Sequence, residues 1–373
     1  VKIKVPPATP YSRFKGMPML LDIIMILALL VSIVLACNVF TNAIEWLGEK
    51  LNLSAGAVGS VLAAVGTALP ETIVPIVAIV TGVLSAGQEG GMTAKAGEDI
   101  GLGAILGAPF MLATLAMFVS GVAIVVYHWM GKRSLELVID RSQFFRDKAY
   151  FFVAYGLAIA AAFLPANLLH FKWIVAIALL GVYGLYLKQT LSAPHAPLDS
   201  HDHVDSEGHE LDPLFFDPKA EEPGLNIVLF QTMLGVFAII GLAHLFVHEI
   251  QHISEKLHLN AMILSLIIIP IATELPEKFN SVMWLGNKKD TLAIGNLTGA
   301  MVFQSCIPVA VGVAFTPWIF NEEAKLSILL CLLSSAVITA LLFRCGKNGS
   351  PFVLMLGGIA YGIFVWQVVA PLL

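Results

Sequence analysis

The chain has 373 residues, 58% of them hydrophobic and only 13% charged, with a formal net charge of −5. Soluble domains carry about a quarter charged residues, so that class is excluded, and no basic surface for nucleic acid is present. The short alternating strands of a membrane barrel are also missing. Backbone in hydrocarbon must satisfy its own hydrogen bonds, which leaves an all-α polytopic membrane protein.

Ten apolar runs of spanning length follow one another, at 18–44, 53–82, 100–129, 149–165, 168–188, 225–250, 260–286, 291–317, 324–343 and 351–371. The first is too long for the apolar core of a signal peptide and lacks a small-residue cleavage site, so no cleavable leader is expected. The second carries "GTALPETI" at 66–73, an acid and a helix breaker in mid-span. Pro70 removes a backbone donor and loosens the turn before it, Thr67 adds a hydroxyl there, and Glu71 lies one turn on along the same face. The third run holds "GAILGA" at 103–108. The loop 131–148 precedes the fourth.

Residues 191–224 hold nine acids against Lys219 alone, with four histidines inside 195–210. This composition reads as a solvated, disordered linker, with a loose metal buffer as the alternative. The sixth run ends in "HEIQH" at 248–252, which fits the H-E-x-x-H zinc signature and raises an intramembrane metalloprotease as a rival from another class. No third ligand motif follows it, and a catalytic zinc needs three protein ligands.

The seventh run repeats the second. "EKLNLS" at 49–54 returns as "EKLHLN" at 255–260, and the same offset carries "GTALPETI" onto "ATELPEKF" at 272–279. Glu277, Pro276 and Thr273 therefore match Glu71, Pro70 and Thr67. Symmetry breaks at Glu274 and Lys278, an i, i+4 pair in the order that favours an ion pair on one helix. Lys278 is expected to cancel Glu274; Glu274 as a third ligand, with Lys278 as a competing cation, is the alternative. In the eighth run "GNLTGA" at 295–300 faces "GAILGA", and Asn296 offers a neutral oxygen where the first copy has Ala104. Gly295 and Gly299 are spaced for close helix approach. Cys37, Cys306, Cys331 and Cys345 have no metal-ligand spacing and read as reduced packing residues.

The chain thus divides into a five-helix half at 1–190, the linker at 191–224, and a second five-helix half at 225–373. An odd number of crossings per copy forces the second to enter the membrane from the opposite side, an inverted repeat of the kind many secondary transporters use. Loops on the linker's side hold more Lys and Arg than the other side, which predicts a cytoplasmic linker and both termini outside a cell membrane. Each copy offers one buried carboxylate, one hydroxyl and freed carbonyls. Two copies face to face make a hard-oxygen cage suited to Ca²⁺, and intramembrane acids mark ion or proton paths.

These motifs resemble those of the cation/calcium antiporter superfamily, the sodium/calcium exchangers and their relatives. "GTALPE" at 66–71 and "ATELPE" at 272–277 are similar to its G-T-S-L-P-E motif, and "GNLTGAMVFQ" at 295–304 in part to its G-N-x-x-G-S-N-x-F-N motif. "HLFVHEIQHISEKLHLN" at 244–260 and "RSQFFRDKAYFFVAYGLAI" at 141–159 are similar to further family segments. The resemblance implies ten helices, alternating access, and Glu71 and Glu277 as central ligands of a transported divalent cation. Departures fall at Ala68, Glu274, Pro109, Leu112, Met301 and Gln304, where the family has polar residues that help build Na⁺ sites.

The expectation is therefore an antiporter, not an enzyme, that exports Ca²⁺ against Na⁺ or H⁺; a Zn²⁺/Mn²⁺-type cation/H⁺ exchanger is the alternative. Thr67, Thr273, Asn296 and Glu274 support the two central acids. No resident cofactor is expected, and the partners are membrane lipid and the transported cations, with the oligomeric partner left open.

Overall fold

The computed structural model describes residues 18–50, 69–85, 92–164, 170–192, 213–220, 222–257, 260–345 and 348–370. Within these lie ten helical rods. In the first half they are α1 (Met19–Lys50), α2 (Leu69–Ser85), α3 (Ala94–Trp129), α4 (Arg141–Ala162) and α5 (Lys172–Ser192). In the second they are α6 (Leu225–Leu257), α7 (Ala261–Gly286), α8 (Asp290–Phe315), α9 (Glu322–Arg344) and α10 (Pro351–Val369). A π-turn at Leu112–Ala116 interrupts α3 just after Pro109, which cannot donate to the helical ladder. Polar side chains start several rods: Thr93 accepts from Ala96 N, Asp140 from Ser142 N and Gln143 N, Asn260 from Met262 N, and Asn321 from Ala324 N.

Seven rods are long and apolar enough by composition to cross a membrane. The remaining three are α2, α4 and α7. α2 and α7 contribute the shorter apolar stretches Glu71–Ser85 and Ala261–Ile271. In α4 the first two turns are charged. The sequence places 131–148 in a loop, yet the helix begins at Arg141, capped by Asp140, and Asp147 and Lys148 are buried. Their polarity is answered at long range. Thr298 donates to Asp147 Oδ2 at 2.6 Å, and Lys148 Nζ donates to Ser335 Oγ at 3.0 Å and to Met301 Sδ at 3.1 Å.

The two halves interlock reciprocally. In the second half α8 packs on α4 and α5 of the first, while α3 of the first packs on α9 and α10 of the second. The exchange is what an inverted repeat demands. α1 pairs with α6 alongside. Loops that should share one membrane face do meet: β1 (Leu137–Val138) pairs antiparallel with β2 (Asn348–Gly349), joining the α3–α4 and α9–α10 connections. At the same end Arg133 binds Asp290 through two hydrogen bonds, of 2.6 and 2.8 Å, and Lys50 lies 3.6 Å from Glu222. At the other end Lys172 donates to the Pro317 carbonyl, and Lys256 pairs with Asp22.

The histidine-rich stretch 195–210 lies outside the described residues. The end of the linker is anchored to the α1–α6 pair: Phe215 N donates to Asn42 Oδ1, Phe216 N to Gln231 Oε1, and Gln231 Nε2 to Asn42 Oδ1. None of the four cysteines is in a disulfide; three are buried and Cys345 is exposed.

Candidate functional site

The motif-bearing helices form the centre of the bundle. α2 touches α3, α7 and α8, α3 touches α7 and α8, and α7 touches α8. Small residues permit these crossings. A Cβ on Gly82 would stand 2.9 Å from Gly97 Cα, so α2 and α3 meet backbone to backbone. A Cβ on Gly103 would strike Ser265 Oγ and sit 2.6 Å from the Met262 carbonyl, and one on Gly107 would strike the Leu266 carbonyl. "GAILG" is thus the close-approach surface of α3 on α7. Gly295 and Gly299, expected to play that part in α8, instead face side chains: Gln143 Nε2 at 2.6 Å and Tyr186 Oη at 3.3 Å from a would-be Cβ.

Glu71 sits at the start of the described α2 and is 4% exposed. Its neighbours one and two turns on, Val74 and Ala78, are fully buried in the cluster that also holds Ile100, Ala104 and Ile269. A carboxylate is therefore carried into an apolar interior where α2 crosses α3. On α7, Thr273 and Glu274 are 5% and 1% exposed. The Thr273 hydroxyl donates to the Ile269 carbonyl at 3.1 Å, which spends its hydrogen and leaves oxygen lone pairs as its remaining polar offering. Gln304 Nε2, from α8, donates to Glu274 Oε1 at 2.9 Å. Asn296 donates from Nδ2 to Ser281 Oγ at 3.0 Å, so its amide oxygen is the atom left to bind a cation.

The structure therefore brings Glu274 and Asn296 to the α7–α8 contact, while Thr273 is buried and bonded within α7. Thr67 lies outside the described residues, as do the side chains of Glu277, Lys278, Pro70 and Pro276. The backbone corrects one expectation. α7 stays helical from Ala261 to Gly286, across Pro276, so that proline costs one hydrogen bond without breaking the rod.

Three residues at the centre carry roles that sequence reasoning missed. Gln304 appears there only as a departure from a motif, yet it is 2% exposed and holds Glu274. Its position at the end of the second motif, one helix over from the first, was the available signal. Ser281 fixes Asn296, and Asp147 takes the hydroxyl of Thr298 two residues beyond it.

The "HEIQH" stretch lies in the last turns of α6. Its two histidines diverge: the His248 ring packs at 4.6 Å from that of His244, which in turn meets Thr81 Oγ1 at 3.1 Å. His252 Nδ1 instead faces Glu249 Oε1 at 3.9 Å. A metalloprotease needs both histidines on one metal with the glutamate held back as base, and this arrangement does not supply that.

The family model described as sodium/calcium exchanger protein matches residues 21–189 and 227–371, nearly everything outside the linker. The chain belongs to the sodium/calcium exchanger protein family. As a member of it, the chain is a membrane antiporter. Over 317 residues, 82% of this chain and 84% of the other, it is 25% identical to the CaxA protein of Alkalimonas amylolytica. Among solved structures, the fold is similar to that of an H⁺/Ca²⁺ exchanger named CAX, with a TM-score of 0.64 and 16% identity, covering 96% of this chain and 83% of that one. It is also similar to YfkE, at 0.62 and 13%, covering 96% and 95%. The sodium–calcium exchanger NCX_Mj matches at 0.53 and 18%, covering 93% and 98%.

Proposed function

We propose that this exchanger carries Ca²⁺ out across a cell membrane by alternating access, with Glu71 and Glu277 as the central ligands. The observation that carries the reading is Glu71 itself, a carboxylate buried in a spanning helix among apolar side chains. Such a group marks an ion path, and its repeat mate stands on the helix that crosses the same centre. Thr273 and Asn296 contribute neutral oxygens, and Thr67 is the repeat mate of Thr273. Glu274 adds a third acid, steadied by Gln304, and Lys278 adjusts the local charge. Hard oxygens in this number suit Ca²⁺.

For the counter-ion, the side chains favour H⁺ over Na⁺. A Na⁺ site needs several more oxygens, and the positions that would give them carry Ala68, Ala300 and Met301. Met301 is fully buried and turns its sulfur to the Lys148 ammonium. A carboxylate of the cage can take up a proton when the metal leaves, which couples the two fluxes through one group. The clustering of basic loops at the end where β1 meets β2 supports placing that end, linker included, in the cytoplasm.

The test is uptake into reconstituted vesicles with Ca²⁺, Mn²⁺ or Zn²⁺, under an imposed pH or Na⁺ gradient. Ca²⁺ uptake driven by the pH gradient and abolished in Glu71→Gln is expected. Uptake driven by Na⁺ alone overturns the proton coupling, and unimpaired uptake by Glu71→Gln overturns the site.

A further inference from the structure

A second constellation of ligand atoms lies at the opposite end of the bundle from the linker, where α1 begins and α6 ends. Asp22, in the first turn of α1, is fully buried. Glu249, His252 and Lys256 follow at i, i+3 and i+7 on α6, one face of a helix. His252 Nδ1 lies 3.8 Å from Asp22 Oδ1 and 3.9 Å from Glu249 Oε1, and the three ligand atoms all fall within 4.8 Å of one another. Lys256 Nζ holds the other Asp22 oxygen at 2.5 Å.

Two of these atoms pose a problem for a purely structural role. Asp22 Oδ1 and His252 Nδ1 are both buried, and neither has a hydrogen-bond partner among the described residues. They point at each other across a gap too long for a hydrogen bond. Leaving buried polar atoms unanswered is costly, and the simplest group to answer both is one placed between them. Ligand atoms around a tetrahedral ion with bonds of about 2.0–2.2 Å stand roughly 3.4 Å apart, so the triangle needs to close by only about half an ångström on its two measured sides.

We propose that Asp22, Glu249 and His252 form a binding site for a divalent transition-metal ion, joining the start of α1 to the end of α6. An imidazole nitrogen with two carboxylates suits ions of the Zn²⁺ and Co²⁺ class and is a poor set for Ca²⁺. Glu249 acts here as a ligand, unlike the base of an H-E-x-x-H site, and His248 takes no part. Lys256 is a built-in competitor: its ammonium already occupies one oxygen of Asp22. The site is separate from the transport centre, since Thr273 lies roughly 18 Å along α7 from the end nearer α6.

Co²⁺ titration of the untagged, full-length protein in detergent, followed by visible absorption, tests this. The linker histidines His195, His201, His203 and His209 are first replaced by alanine to remove their background. One equivalent of Co²⁺ with a spectrum of nitrogen and oxygen ligation is expected. It should be lost in His252→Ala, weakened at least tenfold in Asp22→Asn, and tightened several-fold in Lys256→Met. The Lys256→Met gain guards against losses that merely report misfolding. Unchanged binding in His252→Ala, or no gain in Lys256→Met, overturns the site. Loss of the equivalent in Glu71→Gln overturns it too, by assigning the metal to the transport centre.

Discussion

Replacing Arg133 by Met isolates the polar clamp that joins the α3–α4 connection to the start of α8. Arg133 and Asp290 side chains are each only 3% exposed, so solvent screens their attraction little. The guanidinium also donates to the carbonyls of Leu285 and Glu136 at 2.6 Å and of Ser134 at 3.2 Å. Without it Asp290 keeps the Val138 N–H at 3.0 Å but stands as a buried anion with no counter-charge across the gap. Stranding one member of a buried pair costs about 3–5 kcal/mol. For a chain of this size that is a melting shift on the order of 5–10 °C. The buried thiols of Cys37, Cys306 and Cys331 provide the assay, since a thiol-reactive dye reaches them on unfolding over the baseline of exposed Cys345. The double variant Arg133→Met/Asp290→Leu should recover more than half of the loss, because apolar side chains replace a buried pair at little cost. A single variant that melts within about 1 °C of wild type, or a double variant whose loss is the sum of the singles, refutes the reasoning.

Thr273→Val keeps the shape of the side chain and removes its oxygen; Ca²⁺ uptake should then need about tenfold more Ca²⁺ for half its maximal rate, near 1.4 kcal/mol, with melting unchanged. Gly107→Val drives a side chain into the Leu266 carbonyl and Pro270, so α3 should be pushed off α7 with a loss of about 1–3 kcal/mol, read in the same thiol assay. Lys278→Met should tighten Ca²⁺ binding if the ammonium competes with the cation, and an unchanged isotherm argues against any competition. Deleting 195–210 should leave the metal dependence of uptake as it was, which would remove the linker as a metal buffer.

Much of this architecture was legible because spanning helices announce themselves locally. Apolar runs give their number, and the second LPE motif, with five runs to each copy, makes an inverted relation the expectation. The polar contacts were not legible, and the reason is distance along the chain. Asp147 reads as a loop residue until Thr298, 151 positions away, is seen to donate to it. Gln304 reads as a lost asparagine until it is found holding Glu274, on the neighbouring helix. Arg133 lies on the α3–α4 connection and Asp290 at the start of α8, with no local pattern linking them, and Asp22 meets His252 only because α1 and α6 run side by side. Glycine spacing was visible in both copies, but which pair crosses backbone to backbone depended on what faced it. Pro276 was read as a break, yet a proline in a packed helix can forgo one bond and leave the rod whole.

The most direct measurement of the central claim is equilibrium Ca²⁺ binding by calorimetry to three purified proteins: wild type, Glu71→Gln and Glu277→Gln. If the two acids share one ion, each single neutralisation removes the high-affinity site entirely, and the heat of binding vanishes in both. Retention of wild-type affinity and stoichiometry in either variant would show that the ion is held elsewhere.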